Sequence, residues 1–270
     1  HNSPFRKSRV LSLFYDRNYG VLVGTSKGLE CFDPKNGSKK ALPKIWSDNT
    51  ALLKSKIWKI LKEKNGDVWF ATEANGVFHF DASQNAVTNF LLNTSNRKSL
   101  SSNWVNDIVE VDANTIWFAT KNGLCVYKKD RNEFTKYGHN ALESYSLSDD
   151  DVKCFLKDRH NDIWIGTKGG GVKFFQKTNS NFTNVREVIK PNFGLNTAFV
   201  NAVARENDGS VWVGTSGGGL NYLDFRNNKS TSYAIESYDF DKSVNMITAL
   251  VNQNEQYLFC GTFNGLLEFN

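Results

Sequence analysis

The sequence lacks several features that would assign it to other classes of protein. No run of about 20 apolar residues occurs, so no segment is predicted to span a membrane. Only four prolines and one methionine are present among 270 residues, which suits an ordered β protein. The net charge of +5 is spread along the chain, and no basic stripe with interleaved aromatic residues marks a nucleic-acid site. We therefore expect neither nucleic acid nor a membrane to be a partner of this segment.

Recognised catalytic motifs are also missing. The sequence has no nucleophile elbow, HExxH or P-loop. The glycine triplets at 169–171 and 217–219 join two predicted strands, and no helix follows whose N-terminus could hold a phosphate. The three aspartates at 149–151 are interpreted as a solvated loop, because no further oxygen ligands follow at the spacing of a cation site. We predict that the chain has no enzymatic activity, no cofactor and no bound metal.

The sequence does contain one threonine that returns six times at nearly constant spacing. Successive copies are 47 or 48 residues apart, and each lies between two short apolar runs with a glycine three or four residues after it. A repeat of this length with strand-like segments indicates an array of small structural units. The repeats are centred on Thr25, Thr72, Thr120, Thr167, Thr215 and Thr262.

Each repeat predicts four short antiparallel strands. The first is apolar on both faces and ends in a four-residue turn, as in KNGD from Lys64, where Asn-Gly supplies the positive φ of a tight hairpin. The second strand precedes the threonine, the third follows the glycine, and a fourth closes the unit. Four strands in about 45 residues are typical of a propeller blade. We predict an all-β fold, a single β-propeller array over residues 1–270 with six four-stranded blades.

The last of these blades is predicted to be incomplete. The chain reaches Asn270 just after the third strand of repeat six. The fourth strand would come from residues 1–8, from missing sequence or from another copy. An unpaired edge strand would invite association. An open or partner-completed ring is therefore an alternative to closure by the N-terminal residues.

The repeated tryptophans and the cysteines are interpreted as packing residues. In repeats two to five a tryptophan lies two residues before a glycine or alanine, the small neighbour that a large ring needs when blades pack face to face. These tryptophans are Trp69, Trp117, Trp164 and Trp212. The cysteines lie one each in four repeats, without a metal-ligand spacing, and we expect them to be buried free thiols. They are Cys31, Cys125, Cys154 and Cys260.

Two consecutive stretches resemble a known repeat family. The strings LSSNWVNDIVEVDANTIWFATKNGLCVY and SLSDDDVKCFLKDRHNDIWIGTKGGGVKFF are similar to the two-component regulator propeller repeat. That pattern runs through leucine-serine, an apolar strand, aspartate, a turn, Ile-Trp-Ile-Gly-Thr and glycines, and Leu147, Asp158 and Ile163–Thr167 match it here. The resemblance covers nearly the whole chain and is strongest in repeats two to five. Repeats one and six carry Leu22 and Phe259 in place of the tryptophan.

The resemblance implies a ligand-sensing module without catalysis of its own. Members of the family are extracytoplasmic sensors of hybrid two-component systems, many of which control polysaccharide-use genes in Gram-negative bacteria. Their sensor regions usually hold two propellers with more repeats than this chain, a small β-sandwich, a membrane helix and a kinase. The chain therefore resembles part of a larger multi-blade sensor, or a short relative. By the same resemblance we expect an oligosaccharide ligand, a periplasmic location, and a second copy or neighbouring propeller and sandwich domains of the sensor as partners.

Two alternatives from other classes of function remain open. One is a lyase of the streptogramin-inactivating type, which resembles these repeats and needs a catalytic histidine and a metal near the channel. We expect that none of the four histidines lies in a first strand or in a loop leading into one, which counts against this alternative. The other is a structural propeller that binds a partner protein across one face.

The ligand is predicted to bind where the loops into each first strand meet the loops after each threonine. Successive antiparallel strands reverse direction, so these two sets of loops lie on the same side, and here the repeats differ. Aromatic platforms with asparagine and lysine donors suit the apolar faces and hydroxyls of sugars. The predicted ligand-binding residues are Trp58, Trp104, Asn106, Lys121, Lys168, Phe199, Asn201 and Asn245. The alternative for Trp58 and Phe199 is that they plug the channel.

Overall fold

The fold consists of antiparallel β-sheets that follow one another along the chain. The computed structural model describes residues 8–140, 146–175, 182–185, 193–234, 245–253, 257–263 and 265–269. In each sheet the strands are neighbours in chain order, so each repeat forms one meander. The predicted all-β fold with six propeller blades is confirmed. The chain divides into two compact units, His1–Lys136 and Tyr137–Asn270, with three blades in each.

The first unit contains blades 1 to 3. Blade 1 is formed by β1 (Val10–Asp16), β2 (Gly20–Thr25), β3 (Gly28–Phe32) and β4 (Lys39–Lys40). Blade 2 is formed by β5 (Ile57–Lys62), β6 (Val68–Thr72), β7 (Val77–Asp81) and β8 (Ala86–Phe90). Blade 3 is formed by β9 (Val105–Asp112), β10 (Thr115–Thr120), β11 (Gly123–Lys128) and β12 (Glu133–Tyr137).

The second unit contains blades 4 to 6. Blade 4 is formed by β13 (Val152–Lys157), β14 (Ile163–Thr167), β15 (Val172–Phe175) and β16 (Phe182–Val185). Blade 5 is formed by β17 (Val200–Arg205), β18 (Val211–Thr215), β19 (Leu220–Asp224) and β20 (Lys229–Tyr233). In the residues that the structure describes, blade 6 has the three strands β21 (Ile247–Gln253), β22 (Tyr257–Thr262) and β23 (Gly265–Phe269). The predicted closing strand at residues 1–8 falls almost wholly on residues 1–7, which lie outside the described part.

Two short helices between blades 1 and 2 were not predicted from the repeat pattern. They are α1 (Lys44–Ser47) and α2 (Thr50–Lys54), and the side chain of Asn49 caps α2 by accepting a hydrogen bond from Leu52 N at 2.9 Å. Trp46 of α1 is buried edge-on against Phe70, with ring centroids 5.3 Å apart. It shares a core cluster with Leu22, which stands where repeats two to five have tryptophan. The connection thus supplies the large ring that the second strand of blade 1 lacks.

The apolar core lies between the facing sheets of adjacent blades within each unit. Trp69 of β6 contacts two aromatic rings of blade 3, Phe118 at 5.6 Å and Tyr127 at 5.9 Å between centroids. All four repeat tryptophans are buried, which confirms that they are packing residues, and each such burial stabilises the fold by roughly 2–3 kcal/mol. The four cysteines carry free thiols, three of them buried and Cys154 half-buried. Burial raises the pKa of the Cys125 thiol to about 11.

Acidic side chains at the ends of the first strands link neighbouring blades. Each carboxylate forms a hydrogen bond or an ion pair with a residue near the end of the first strand of the next blade. The pairs, measured between nitrogen and oxygen, are Lys62–Asp16 at 2.5 Å, Arg205–Asp158 at 2.5 Å and Asn252–Glu206 at 2.7 Å. In Asp158 and Glu206 the carboxylate also accepts from the indole of its own blade's tryptophan. Asp158 and Glu206 therefore link the tryptophan of one blade to the first strand of the next.

The link between blades 1 and 2 is expected to weaken in acid. Burial alone would raise the pKa of Asp16, but the hydrogen bonds from Lys62, Tyr19 N and Asn18 N and the charge of Lys62 outweigh it, and the pKa lies below its ordinary value of 3.8. The carboxylate stabilises the fold above the unfolded-state pKa, and this contribution is lost as the pH falls through the lower folded-state pKa. We expect the unfolding free energy to fall below pH about 3.8, and to fall less steeply in Asp16→Asn.

Denaturant unfolding measured between pH 7 and pH 2.5 would test this expectation. Asp130→Asn is the matched control, because Asp130 lies in an exposed turn and its ion pair with Arg131 spans 3.9 Å. If Asp16→Asn and wild type lost stability in parallel over this range, Asp16 would not be the group responsible.

Candidate functional site

The loops predicted to bind ligand are joined at one edge of each blade. In five blades the amide of the residue after the repeated threonine donates to the carbonyl of the residue before the first strand. The pairs are Ser26–Arg9 at 2.8 Å, Glu73–Lys56 at 3.1 Å, Lys121–Trp104 at 3.2 Å, Lys168–Asp151 at 2.9 Å and Ser216–Phe199 at 2.9 Å. The two sets of loops therefore lie on the same side, as the strand directions predicted.

The repeated threonine organises the loop that follows it. In all six blades its hydroxyl donates to the carbonyl of the glycine that begins or precedes the third strand, at 2.7–3.0 Å. In blades 1 to 4 the same Oγ1 also accepts an amide from within the loop, as from Asn122 N to Thr120 at 3.0 Å. The side chain is buried in the first five blades. One hydroxyl thus closes the loop without contribution from the side chain at the next position.

A β-bulge lies at the same place at the start of every first strand. The pairing with the second strand shifts by one residue after the first position, so the second residue has no direct opposite. Bulges re-aim a side chain, and they are common beside functional sites. The bulged residues are Leu11, Trp58, Asn106, Lys153, Asn201 and Thr248. Three of the predicted ligand-binding residues, Trp58, Asn106 and Asn201, occupy this position.

Blade 3 brings three of the predicted residues into one cluster. The indole Nε1 of Trp104 donates to Oδ1 of Asn106 at 2.9 Å. Nζ of Lys121 lies 3.9 Å from the centroid of the Trp104 ring, within the range of a cation–π interaction. Lys121 is exposed, and Trp104 and Asn106 are half-buried. The cluster therefore presents an aromatic ring, an amide and an ammonium group at the loop edge.

Trp58 of blade 2 lies at the same edge with a different environment. Its ring is half-buried, and its buried Nε1 has no hydrogen-bond acceptor among the residues that the structure describes. Beside it along the chain, Lys56 forms an ion pair with Glu73 at 2.7 Å, and Lys59 pairs with Asp107 of blade 3 at 2.9 Å. The pair Lys59–Asp107 was not predicted, because it joins residues 48 positions apart whose contact follows only from blade packing.

The remaining predicted residues belong to the second unit. The loop after Thr215 places Phe199 and Asn245 on its two sides, because Ser216 N donates to Phe199 O at 2.9 Å and Gly217 N donates to Asn245 O at 3.0 Å. Asn201 uses its amide nitrogen to bond Ile247 O of the next blade at 2.8 Å, so this donor has a structural role. Lys168 is exposed in the loop of blade 4.

One unpredicted charged pair lies at the entrance to blade 4. Lys153, the bulged residue, bonds the carboxylate of Asp151 at 2.9 Å. Lys153 lies in β13 as the strand pattern predicted. The pair itself could not be predicted, because a bulge is not visible in an alternating strand pattern. The aspartates at 149–151 are capping and pairing groups, since Asp149 Oδ1 accepts from Asp151 N at 2.7 Å and Asp150 Oδ1 accepts from His139 N at 2.7 Å.

The expectation about histidines is wrong for His139. This residue lies in the connection between β12 and β13, which is a loop leading into a first strand. Its Nδ1 is 2.7 Å from Leu147 O, so the ring is bonded to the loop backbone. A second group of possible metal ligands, Glu63, Asp67 and His79, has its atoms within 4.8 Å of one another. Those atoms bond protein groups, such as Trp69 Nε1 to Glu63 at 2.5 Å, and we assign no metal site there.

Six successive meanders, each with the same bond from threonine to glycine carbonyl, define a β-propeller repeat protein. Residues 146–169, which include β13 and β14, match the model of the two component regulator propeller. This match confirms the resemblance recognised in the sequence, and residues 146–169 carry one two component regulator propeller repeat. No curated protein matches the chain.

Solved structures share the fold. Two are described as extracellular domains of hybrid two component systems from B. thetaiotaomicron. One matches over 98% of this chain and 34% of its own, with 17% identity and a TM-score of 0.73. The other matches over 97% and 32%, with 17% identity and a TM-score of 0.74. The chain thus spans about a third of the length of either domain. Virginiamycin B lyase from Staphylococcus aureus matches over 100% of this chain and 86% of its own, with 14% identity and a TM-score of 0.64.

Among the residues that the structure describes, no helix is long and apolar enough to cross a bilayer.

Proposed function

We propose that this chain is the ligand-sensing propeller of an extracytoplasmic sensor in a hybrid two-component signalling system, located in the periplasm. The repeat match at residues 146–169 and the shared fold with extracellular domains of such systems support this proposal. The loop edge supports it independently. In five blades its backbone is held by the same hydrogen bond, and the side chains it displays differ from blade to blade. A rigid scaffold with variable loops is the usual arrangement of a binding surface.

The ligand class that we propose is an oligosaccharide, and the cluster in blade 3 is the observation that carries it. A sugar ring stacks its apolar face on an aromatic side chain and exchanges hydrogen bonds through its hydroxyls. Trp104 offers the ring, and Asn106 and Lys121 offer polar groups directly beside it. The half-buried ring of Trp58 is a second aromatic surface at the same edge of the neighbouring blade.

A calorimetric titration with a panel of neutral and acidic oligosaccharides tests this proposal. Trp104→Ala removes the stacking surface, and we expect at least about a tenfold loss of affinity for the sugar that binds, equal to about 1.4 kcal/mol. Lys121→Ala should weaken the binding of the same sugar, because it removes an ammonium group that lies over the Trp104 ring. Lys39→Ala is the matched control, since Lys39 is an exposed lysine in the outer strand β4 of blade 1, where it pairs with Glu30 at 2.7 Å.

The outcome that contradicts the site is specific. If Trp58→Ala and Trp104→Ala both fold normally and bind the sugar as wild type does, the ligand does not contact this edge. If no oligosaccharide binds, the glycan class is wrong, whatever the fate of the sensor assignment.

We propose further that the chain has no catalytic activity of its own. The fold is shared with virginiamycin B lyase, so incubation of the purified chain with streptogramins and with the panel of glycans is the direct test. The ring of His139, which lies in the loop leading into β13, is 2.7 Å from a backbone carbonyl of that loop. We expect the substrates to be recovered unchanged, and turnover of either class would refute the sensor proposal.

Signal transfer would then depend on how copies or neighbouring domains pack. Blades joined by buried ion pairs suit rigid-body motion better than internal rearrangement. A useful response needs a difference in ligand affinity between two arrangements on the order of 1–3 kcal/mol.

A further inference from the structure

Blades 2 and 3 place different pairs of side chains at the same two positions of the loop edge. These positions are the residue before the first strand and the residue after the repeated threonine, which one backbone hydrogen bond joins in both blades. In blade 2 they are Lys56 and Glu73, whose side chains form an ion pair at 2.7 Å. In blade 3 they are Trp104 and Lys121, with Nζ of Lys121 3.9 Å from the centroid of the ring. Blade 2 therefore supplies its lysine with a carboxylate, whereas blade 3 supplies its lysine with an aromatic ring.

Lys121 has no carboxylate partner among the residues that the structure describes. The carboxylate of Asp107 in β9 is bonded by Nζ of Lys59 of blade 2 at 2.9 Å. A second ammonium group, that of Lys136 in β12, donates to Oδ1 of Asn122 in the same loop at 2.8 Å, and it too forms no ion pair within the described part of the chain. The loop of blade 3 therefore presents two ammonium groups whose charges attract an anion.

The position of Lys121 also determines what a sugar must offer in order to stack on Trp104. Nζ of Lys121 lies over the ring, so a sugar that stacks on that face displaces the ammonium group and ends its cation–π interaction. A neutral sugar gives the displaced group only hydroxyl acceptors, which water supplies equally well. A carboxylate or sulfate forms a charge-assisted hydrogen bond with it, and such bonds are roughly twice as strong as those between neutral groups. These contacts favour an anionic sugar over its neutral analogue.

We propose, on the basis of the sensor function proposed above, that the oligosaccharide bound at this edge is acidic and that Lys121 selects it. The carboxylate or sulfate of the sugar supplies the counter-charge that Glu73 supplies to Lys56 in blade 2. Asn106 positions the ring, because its Oδ1 accepts the indole N–H of Trp104 at 2.9 Å. Trp104 thus contacts the sugar ring, and Lys121 distinguishes acidic sugars from neutral ones.

Calorimetric titrations with matched pairs of oligosaccharides test this inference. One pair is an oligogalacturonide and the same sugar after its carboxylates have been reduced to alcohols. The other is a fragment of chondroitin sulfate and the same fragment after reduction and removal of its sulfates, so that the two pairs separate carboxylate from sulfate. We expect wild type to bind at least one acidic sugar at least about tenfold more tightly than its neutral counterpart. This preference should shrink at high salt, because salt screens the ionic attraction.

Substitutions of Lys121 separate its charge from its bulk. Lys121→Gln removes the charge from an exposed side chain, so we expect affinity for the acidic sugar to fall at least about tenfold and affinity for the neutral counterpart to change by less than about twofold. Lys121→Arg retains the charge and should keep the preference for the acidic sugar. Lys39→Gln is the matched control, because Lys39 is an exposed lysine of β4 in blade 1, and it should leave both affinities unchanged. Circular dichroism checks that each variant folds.

Three results would overturn the inference, and they differ in what else they overturn. If acidic and neutral sugars bind equally, or if Lys121→Gln weakens both by the same factor, Lys121 does not select an anion, while the proposed sensor function stands. If inorganic sulfate alone binds as tightly as the acidic sugar, the loop is a site for free anions and not for sugars. If no oligosaccharide binds, the glycan class of the proposed function is wrong and this inference falls with it.

Discussion

Arg205→Met is expected to destabilise the fold by about 3–5 kcal/mol, because it leaves a buried carboxylate without its cation. Arg205 of β17 contacts Oδ2 of Asp158 at 2.5 Å, and the side chain of Asp158 is 1% exposed. Asp158 Oδ1 also accepts from His160 N at 2.8 Å, so the carboxylate is fixed in place and cannot turn to water. Denaturant unfolding at neutral pH measures the loss.

A double-mutant cycle separates the effect of the unpaired charge on stability from the effect of packing. Asp158→Asn combined with Arg205→Met removes both charges, and we expect the double variant to be more stable than Arg205→Met alone. Arg226→Met, at an exposed position in the turn after β19, should change stability by less than about 0.5 kcal/mol. A double variant as unstable as Arg205→Met would show that the methylene stem of the arginine, rather than its charge, stabilises the contact between blades 4 and 5.

Trp69→Ala is expected to cost about 3–5 kcal/mol, because it opens a large cavity between blades 2 and 3. The ring is fully buried, stacks on His79 with centroids 3.9 Å apart, and donates to Glu63 Oε1 at 2.5 Å. Its removal also takes one hydrogen-bond donor from the Glu63 carboxylate, which keeps only its ion pair with Lys129 of blade 3 among these two contacts. Thermal and denaturant unfolding both report the change.

Trp104→Ala is the matched control for the same experiment. It deletes the same ring from a half-buried position at the loop edge, so we expect a loss of stability several times smaller. Trp69→Phe should retain most of the packing and lose the hydrogen bond to Glu63, which places its stability between wild type and Trp69→Ala. Equal losses for Trp69→Ala and Trp104→Ala would contradict the assignment of Trp69 to the core and Trp104 to the surface.

The periodic part of the fold could be predicted because it depends on local pattern. The threonine spacing gave the number of blades, and alternation around Trp69 or Trp164 gave the second strand. The helices α1 and α2 were missed because the repeat pattern describes the strands and not the connection between blades 1 and 2. Trp46 compensates there for Leu22, and that relation follows from three-dimensional packing rather than from spacing.

The sequence predicted which edge of the blades carries the candidate site, but not how its side chains contact one another. Strand reversal placed Trp104 and Lys121 on one side, but it could not show that the ammonium group lies over the ring. The bulge was hidden, because an extra unpaired residue leaves the strand pattern unchanged over so few positions. Asn201 was predicted as a ligand residue, but its amide nitrogen bonds Ile247 O, a choice that depends on how closely two blades approach.

The bond from each repeated threonine to its glycine carbonyl has a consequence for how such proteins diversify. The hydroxyl closes the turn by a bond that does not involve the side chain of the next residue, which is Ser26, Glu73, Lys121, Lys168, Ser216 or Phe263. Unequal crossover between repeats in a gene therefore exchanges complete, self-contained turns. The side chains that contact a ligand can therefore change from repeat to repeat, while the threonine and glycine that close the turn are kept in every blade.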